Sequence, residues 1–563
     1  MGVDFIVRGA TLFDGSGEER RERQDVAVAG DRIVAIGQGL PVEGDAEVVE
    51  ADGLALMPGI IDSHTHYDAQ ATWDPALTPS PSLGVSTAVI GNCGFTIAPC
   101  READRDLVMK NLTQVEGMAL EVLRNGIRWD FETFPEYLDM LEAGGCLANL
   151  SAYIGHSALR TYVMGEAAVE RAADDEEVEA MAQIVREAMA AGAIGFASST
   201  APQHNGWGGL PMPSRLADDR ELTALTRAMA ESGRGLFMLT KGNKTDVPYL
   251  EGLAERCGRP IMIAALLQNP TKPAGTFEEL GKIAEARARG RELWGQVSCC
   301  PLTMDYTLAS AYPFEGFAAW QPAMKVSGEA LKRLLADPAF RQGIRDELEQ
   351  PAGVRLFNGE WHKIELTEAR DSANRVYEHR PLDQVAAEAG KHPFDWMLDL
   401  AISEDLESLF TATLLNTDEE AVGRMIRDPN ASVALSDAGA HLTFFCDAGF
   451  GLHLIGHWAR ERGLLTMEAA VRELTAKPAT IYRMPGRGRI AEGYAADLLL
   501  FDPETIGRAP KRRVHDLPGG AARLTTDGRG LHGLWVNGIR VMERDGKLIE
   551  GVRPGRLLRE YNA

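Results

Sequence analysis

Eight short apolar segments recur through the middle of this 563-residue chain, and amphipathic stretches with helical spacing separate several of them. In chain order, the eight segments are PGIIDSHTH, VSTAVIGNC, LANLSAYIGH, AIGFASS, RGLFMLTKG, RPIMIAALL, ELWGQVSCC and ASVALSDAGAH. Alternation of strand and helix implies that neighbouring strands pair in parallel. Eight such units therefore predict an α/β fold that closes into a (β/α)8 TIM barrel rather than an open sheet.

Both ends of the chain differ from the middle, because they consist of short β-like pieces separated by Gly and Asp turns. ADLLLFD and LHGLWVNGIRVM near the end repeat the texture of the first fifty residues. We expect residues 1–55 and 486–563 to meet in a small β-sandwich domain. The barrel domain is then predicted to occupy residues 56–485.

One stretch interrupts the alternation inside the predicted barrel. Residues near 302–380 are aromatic, proline-rich and charged, and they lie between the seventh and eighth apolar segments. A stretch of this length without the repeated pattern predicts an insertion. Such an insertion could cover the active site.

The charge balance excludes some classes of partner. Lys and Arg total 58 against 82 Asp and Glu, so the net charge is −24. Such a surface repels nucleic-acid phosphates and anionic membranes, so we expect neither as a partner. The sequence shows no signal peptide or membrane span, and its seven cysteines include no CxxC pair. These features predict a cytoplasmic protein with reduced cysteines, and a homo-oligomer is compatible with them.

Two histidines close the first apolar segment. His64 and His66 lie two residues apart, and the period of a β-strand places both on one face. Two imidazoles on one face can bind one metal ion. Active sites of barrels lie at the carboxyl ends of the strands, so this HxH pair predicts a metal site at the mouth.

Two further segments end in side chains suited to the same site. Cys93 closes the second segment, where a thiolate would favour zinc over magnesium, although a buried inert thiol is the alternative. Asp437 closes the eighth segment and could both bind a metal and accept a proton from bound water. A plain Asx turn is the alternative for this aspartate.

His156 and His441 are weaker candidates. Each lies at the end of an apolar segment, where its side chain could hydrogen-bond a substrate or orient a ligand. A histidine held by structural hydrogen bonds is the competing interpretation for both.

These segments resemble the amidohydrolase superfamily and, within it, the D-aminoacylase (N-acyl-D-amino-acid deacylase) family. The resemblance spans nearly the whole chain. It implies a barrel beside a β-sandwich and a metal site formed by His64, His66, Cys93 and Asp437. The segments that carry it are PGIIDSHTHYD, GNCGFTIAPC, YIGHSALR, SDAGAH and GRIAEGYAADLLLFDP.

The chain departs from this family at strands five and six, where members place two further histidines. The fifth segment ends with Lys241 or its neighbour at that place, and the sixth has Ala264 and Ala265. The family's acid-recognition residue beside the strand-six histidine is missing as well, which puts a D-amino-acid substrate in doubt. Other amidohydrolases bridge two metals with a carboxylated lysine, and Lys241 could do the same. A lysine that binds a substrate carboxylate or forms a salt bridge is the interpretation we favour.

The resemblance implies a metal-dependent enzyme that hydrolyses a non-peptide C–N bond of a small molecule, most simply an N-acyl amino acid. Because two metal ligands are lost, we expect one zinc ion per chain. Asp437 would act as the general base. A cyclic amide, imide or carbamate hydrolase is one alternative, and a non-catalytic binding or scaffold protein is another.

Overall fold

The computed structural model describes residues 2–42, 44–350, 355–442 and 445–563. At its centre lies a sheet of eight parallel strands. The strands are β6 (Ile60–Asp62), β7 (Val85–Ile90), β8 (Asn149–Gly155), β9 (Gly195–Ser199), β10 (Leu236–Thr240), β11 (Ile261–Leu266), β12 (Leu293–Val297) and β16 (Ala431–Val433). Each strand falls in one of the eight predicted segments. Strands β7 and β8 are buried along their whole length, which explains why they read as continuous apolar runs.

The first and last strands of this sheet meet just beyond their ends. Thr65 forms a parallel bridge with Ala438, and the His66 backbone N–H donates to the Ala438 carbonyl at 2.7 Å. This contact brings the two edges together, and the predicted (β/α)8 barrel is confirmed. The carboxyl ends of the strands consequently surround one mouth.

The connections between barrel strands are mainly helical. In helix α5 (Asp175–Ala191), local sequence signals fix both ends: Asp174 and Glu177 form a capping box at its start, and Gly192, with φ +107°, ends it. Across the described ranges, no helix is long and apolar enough to cross a membrane. The remaining helices of this part are α1 (Arg105–Val115), α2 (Leu120–Gly126), α3 (Phe134–Gly144), α4 (His156–Met164), α6 (Asp219–Ala230), α7 (Val247–Cys257), α8 (Gly275–Ala288), α13 (Glu419–Met425), α14 (Phe450–His453), α15 (Met467–Leu474) and α16 (Ala476–Ile481), with a π-helix over Leu454–Glu461 after α14.

The two chain ends share one mixed sheet. In the described residues its eight strands are β1 (Phe5–Leu12), β2 (Arg21–Ala29), β3 (Arg32–Gly37), β4 (Glu47–Glu50), β5 (Ala55–Pro58), β17 (Leu498–Phe501), β22 (Leu531–Val536) and β23 (Ile539–Met542). Strand β17 pairs antiparallel with β5, which joins the C-terminal part to the N-terminal part. Between β17 and β22 lie a hairpin of β19 (Arg512–Leu517) and β20 (Ala521–Thr525) and, flanking it, an antiparallel pair of β18 (Gly507–Arg508) and β21 (Gly528–Arg529).

A second hydrophobic core lies between the seventh and eighth barrel strands, where an insertion was predicted. Apart from Phe445, its buried residues run from Met304 to Leu415, so this region extends past residue 380. The ring of Tyr312 in this region lies 6.3 Å from that of His441, so the region reaches the barrel mouth. Its described elements are β13 (Leu302–Tyr306), β14 (Ile364–Glu368), β15 (Leu409–Leu415), α9 (Gly328–Ala336), α10 (Pro338–Glu349), α11 (Leu382–Glu388) and α12 (Pro393–Ser403).

Candidate metal centre

His64 and His66 follow β6 at the barrel mouth, and both are buried. Their ring centroids are 5.3 Å apart. The Nδ1 atom of His64 lies 2.7 Å from Oε1 of Gln296 on β12. Because a carbonyl oxygen only accepts, Nδ1 carries the proton and Nε2 presents its lone pair.

A buried carboxylate lies within ion-pair distance of the second histidine. Glu116, at the end of α1, places Oε1 3.0 Å from Nδ1 of His66. This is the carboxylate–histidine arrangement that orients imidazoles bound to metals. Nothing local in the sequence shows that Glu116 and Gln296 reach the HxH pair, so neither residue was predicted.

Cys93 sits in a tight turn directly after β7, where its φ is +57°. Its Sγ lies 3.6 Å from Nε2 of His64 and 3.0 Å from Oγ1 of Thr240. Burial alone would raise the pKa of this thiol, but the charges and hydrogen bonds of His64 and His66 in their protonated forms together outweigh burial and lower the pKa to about 7. A thiolate is therefore accessible near neutral pH.

The turn that carries Cys93 can approach strand β9 closely only because Gly94 follows Cys93. A Cβ on Gly94, whose φ is +75°, would lie 2.5 Å from the carbonyl oxygen of Ala197 in β9. Glycine at this position lets the backbone place the thiol beside the two histidines.

Asp437 follows β16 and completes the cluster. Its Oδ1 lies 3.4 Å from Nε2 of His64 and 3.8 Å from Nε2 of His66. The side chain is 22% exposed, so this carboxylate is more open to solvent than the two histidines. It can therefore face both a bound ion and a water molecule that enters from the mouth.

The four side chains fit a metal ion. The ligand atoms of His64, His66 and Cys93 all lie within 4.8 Å of one another, and Asp437 places an oxygen 3.4 Å from Nε2 of His64 and 3.8 Å from Nε2 of His66. Two imidazole nitrogens, a thiolate and a carboxylate form a donor set that suits zinc. No second group of three such side chains occurs within the described ranges.

The places of the two expected histidines hold other groups. Thr240 ends β10, and its hydroxyl contacts Cys93. Ala265 lines a cavity of about 30 Å³ that also borders Asp437. A threonine hydroxyl and an alanine methyl are not among the ligands that zinc takes in proteins.

Lys241 is not brought into the cluster. Its Nζ lies 3.3 Å from Oε2 of Glu279 on α8, while its neighbour Thr240 points to Cys93. Alternation of side chains along the strand explains the difference. A role for Lys241 in binding substrate stays a prediction.

His156 lies in an internal polar network rather than in the cluster. Its Nδ1 is 2.8 Å from Oγ of Ser198, and its Nε2 is 2.7 Å from Oε1 of Glu221. Glu221 also pairs with Arg160, and these charged groups are all buried. Both ring nitrogens of His156 are thus held by protein groups, and its predicted contact with substrate stays untested.

His441 lies beside the cluster. It is four residues after Asp437, and its ring packs 6.0 Å from that of Phe445. Burial lowers its pKa, so the imidazole is neutral near pH 7. Its predicted role as a substrate-binding residue fits this position and stays a prediction.

One further histidine at the mouth was missed by the sequence analysis. His204 lies in the loop after β9, and its ring contacts Phe95 edge-on at 5.0 Å. Its Nδ1 lies 2.7 Å from Oγ of Ser199, and burial lowers its pKa to about 3. Only its place after a barrel strand could have suggested it.

Comparisons with known proteins agree with this geometry. A model of the amidohydrolase family matches residues 47–542. D-aminoacylase from Alcaligenes xylosoxydans xylosoxydans is 29% identical over 563 residues, which covers 99% of this chain and 97% of the relative. N-acyl-D-glutamate deacylase from the same organism is 27% identical and covers 99% of this chain and 96% of the relative.

Solved structures show the same fold. A D-aminoacylase studied for its binuclear metal centre superimposes with a TM-score of 0.67 at 24% identity, and it covers 99% of this chain and all of that one. N-acyl-D-glutamate deacylase from Bordetella bronchiseptica, complexed with zinc and a phosphonate inhibitor, has a TM-score of 0.66 at 24% identity over the full length of both chains. The resemblance to D-aminoacylases is thus confirmed, and the chain belongs to the amidohydrolase family.

Proposed function

We propose that this protein is a metal-dependent amidohydrolase that cleaves the amide bond of an N-acyl amino acid. One observation carries the proposal. The side chains of His64, His66, Cys93 and Asp437 converge at the barrel mouth, although they come from three separate strand ends. The full-length similarity to D-aminoacylase and N-acyl-D-glutamate deacylase supports this substrate class.

A zinc ion held by these four residues would supply Lewis-acid chemistry, which polarises the scissile carbonyl and acidifies water. Asp437 accepts the proton of the attacking water and passes it to the departing amine. Gln296 and Glu116 keep the two histidines oriented through Nδ1.

His204 is suited to donate a hydrogen bond to the substrate. The Ser199 hydroxyl already accepts from the Ala201 N–H, and its contact of 2.7 Å with Nδ1 is shorter than the 3.5 Å to the Thr240 carbonyl. When the hydroxyl donates to Nδ1, the ring proton of His204 lies on Nε2. Among the described residues, no group accepts from that N–H.

We infer one metal ion per chain. Thr240 and Ala265 occupy the places of the histidines that a second ion would need. A single ion is compatible with catalysis in this family, since the D-aminoacylase structure is described as showing one-metal activation and second-metal attenuation. Zinc is the metal that best matches the donor set.

A substrate screen tests the proposal. The zinc-loaded protein and a chelator-treated sample are assayed against N-acyl amino acids of both configurations, cyclic amides and imides, and carbamates. We expect zinc-dependent release of free amino acid from at least one N-acyl amino acid. If only cyclic amides or imides are turned over, the substrate class is that of a cyclic amide hydrolase and not N-acyl amino acids. If the zinc-loaded protein turns over nothing, a non-catalytic role is favoured.

A further inference from the structure

A large cavity lies between the loops that follow β9 and β10. Its volume is about 820 Å³, which is within the size range of small-molecule sites. Thr200 and Arg215 contribute from the first loop, and Lys244 and Thr245 from the second. The metal centre described above does not include any of these residues.

Arg215 is a half-buried cation of this cavity without an acidic partner among the described residues, whereas Lys244 in the same lining is exposed to solvent. The Nη1 atom of Arg215 donates to the His204 carbonyl at 3.0 Å and to Oδ1 of Asn205. No carboxylate lies within 4.0 Å of its guanidinium among the residues that the structure describes. Burial lowers its pKa without any opposing acid, yet an arginine keeps its charge at neutral pH.

Two aspartates also line the cavity, and neither lies within ion-pair distance of Arg215 among the described residues. Asp218 caps α6 by accepting from the Glu221 N–H at 2.9 Å, and it lies 3.5 Å from Arg220. Asp219 lies near Tyr249. Burial, and then the charge of this carboxylate, raise the pKa of Tyr249 to about 12. A partly desolvated guanidinium without a counter-ion favours the binding of an anion.

The cavity adjoins the metal centre. Thr200 in its wall donates its N–H to the Thr240 carbonyl at 3.0 Å, and the Thr240 hydroxyl contacts the Cys93 thiol at 3.0 Å. On the other side, the carbonyl bound by Arg215 belongs to His204, whose ring packs on Phe95, two residues after Cys93. Arg215 therefore contacts the loop whose His204 ring packs beside the turn that carries Cys93.

We propose that Arg215 binds the free carboxylate of an N-acyl amino acid while the amide carbonyl lies at the metal centre. This inference rests on the proposed function and assigns the acid-recognition role to a loop residue. Two lysines follow β10: Lys241 pairs with Glu279 at 3.3 Å, and Lys244 is exposed at the rim of the cavity. A guanidinium also matches the two oxygens of a carboxylate better than an ammonium does.

The test combines two substrates with three variants. The best N-acyl amino acid from the screen is compared with its primary amide, which lacks the carboxylate charge. We expect Arg215→Met to lower kcat/KM for the acid by about 10- to 100-fold, mainly through KM, and to leave the amide nearly unchanged. Arg215→Lys should restore part of the loss, and Arg220→Met should affect both substrates little, because Arg220 lines the same cavity but already pairs with Asp175. Equal losses on acid and amide would show a structural role, and wild-type kinetics in Arg215→Met would overturn the proposal.

A binding measurement separates this inference from the proposed reaction. Calorimetric titration of the zinc-loaded Asp437→Asn protein with the N-acyl amino acid reports affinity without turnover. We expect binding that is lost when Arg215→Met is added. If the wild type hydrolyses nothing but this difference in binding persists, the proposed reaction fails and the carboxylate site stands. Absence of any difference would refute the site.

Discussion

At the scale of single residues, the centre depends on side chains that orient the metal ligands. Gln296 and Glu116 each bind an Nδ1 atom and leave the Nε2 atoms of His64 and His66 facing Asp437. These two partners come from β12 and from the end of α1, so closure of the barrel forms the site. Predicting such contacts from the HxH pattern alone is not feasible, because they depend on the tertiary fold.

Glu116→Gln should weaken metal binding without unfolding the protein. Loss of a carboxylate behind a metal-bound histidine typically costs about 10- to 100-fold in affinity. Competition with a chromophoric chelator measures the change. Glu121→Gln is the matched control, since that carboxylate pairs with the exposed Arg124 3.0 Å away. An unchanged affinity in Glu116→Gln would exclude Glu116 from the metal site.

Asp437→Asn should reduce turnover by at least about 10²-fold, which is the lower range for the loss of a general base. The substitution is nearly isosteric, so the melting temperature should move little. Steady-state kinetics on the best substrate, together with thermal unfolding, measure both effects. Turnover equal to that of the wild type would remove Asp437 from the mechanism.

At the scale of elements, a buried charge network joins α4, β9 and α6. Glu221 accepts from His156 and Arg160, and all three side chains are fully buried. Breaking a buried pair leaves an uncompensated charge in the interior. Glu221→Gln should therefore lower the free energy of unfolding by about 3–5 kcal/mol.

Denaturant-induced unfolding measures this loss against an exposed pair. Glu251 and Arg289 lie 2.6 Å apart, and the arginine side chain is 55% exposed. Glu251→Gln should cost about 0–1 kcal/mol. Equal effects of the two substitutions would mean that the buried network contributes no more than a surface ion pair.

The barrel strands could be predicted because burial on both faces produces continuous apolar runs, as in β7 and β8. The end of the insertion could not. Helix α12 is rich in apolar residues, and β15 alternates buried and half-buried positions, so both look like parts of a barrel unit. The same limit applies to the fifth strand, where only the fold shows that Thr240, not Lys241, faces the centre.

At the scale of the whole molecule, buried histidines make stability depend on pH. His453 in α14 stacks on His457 at 4.7 Å, and burial lowers its pKa to about 3. In the unfolded chain a histidine titrates near 6.5, so the unfolded state binds more protons between about pH 3 and 6.5. The contribution of His453 to stability is fully present above about pH 6.5 and is lost as the pH falls toward 3.

Comparison of the wild type with His453→Gln isolates this effect. Between pH 7.5 and pH 5, the difference in unfolding free energy should shift by up to about 2 kcal/mol in favour of the variant. Denaturant titrations at the two pH values measure the shift. A difference that stays constant with pH would show that His453 is protonated alike in both states.

The central claim is that His64, His66, Cys93 and Asp437 form a single metal site, and metal stoichiometry tests it most directly. Elemental analysis of protein grown with zinc and freed of loosely bound ions should give about one zinc per chain. His64→Ala should lose that zinc and melt at a lower temperature, because a bound ion stabilises the folded state. Two tightly held ions per chain would contradict the single site, and zinc-free wild-type protein would contradict the metal centre itself.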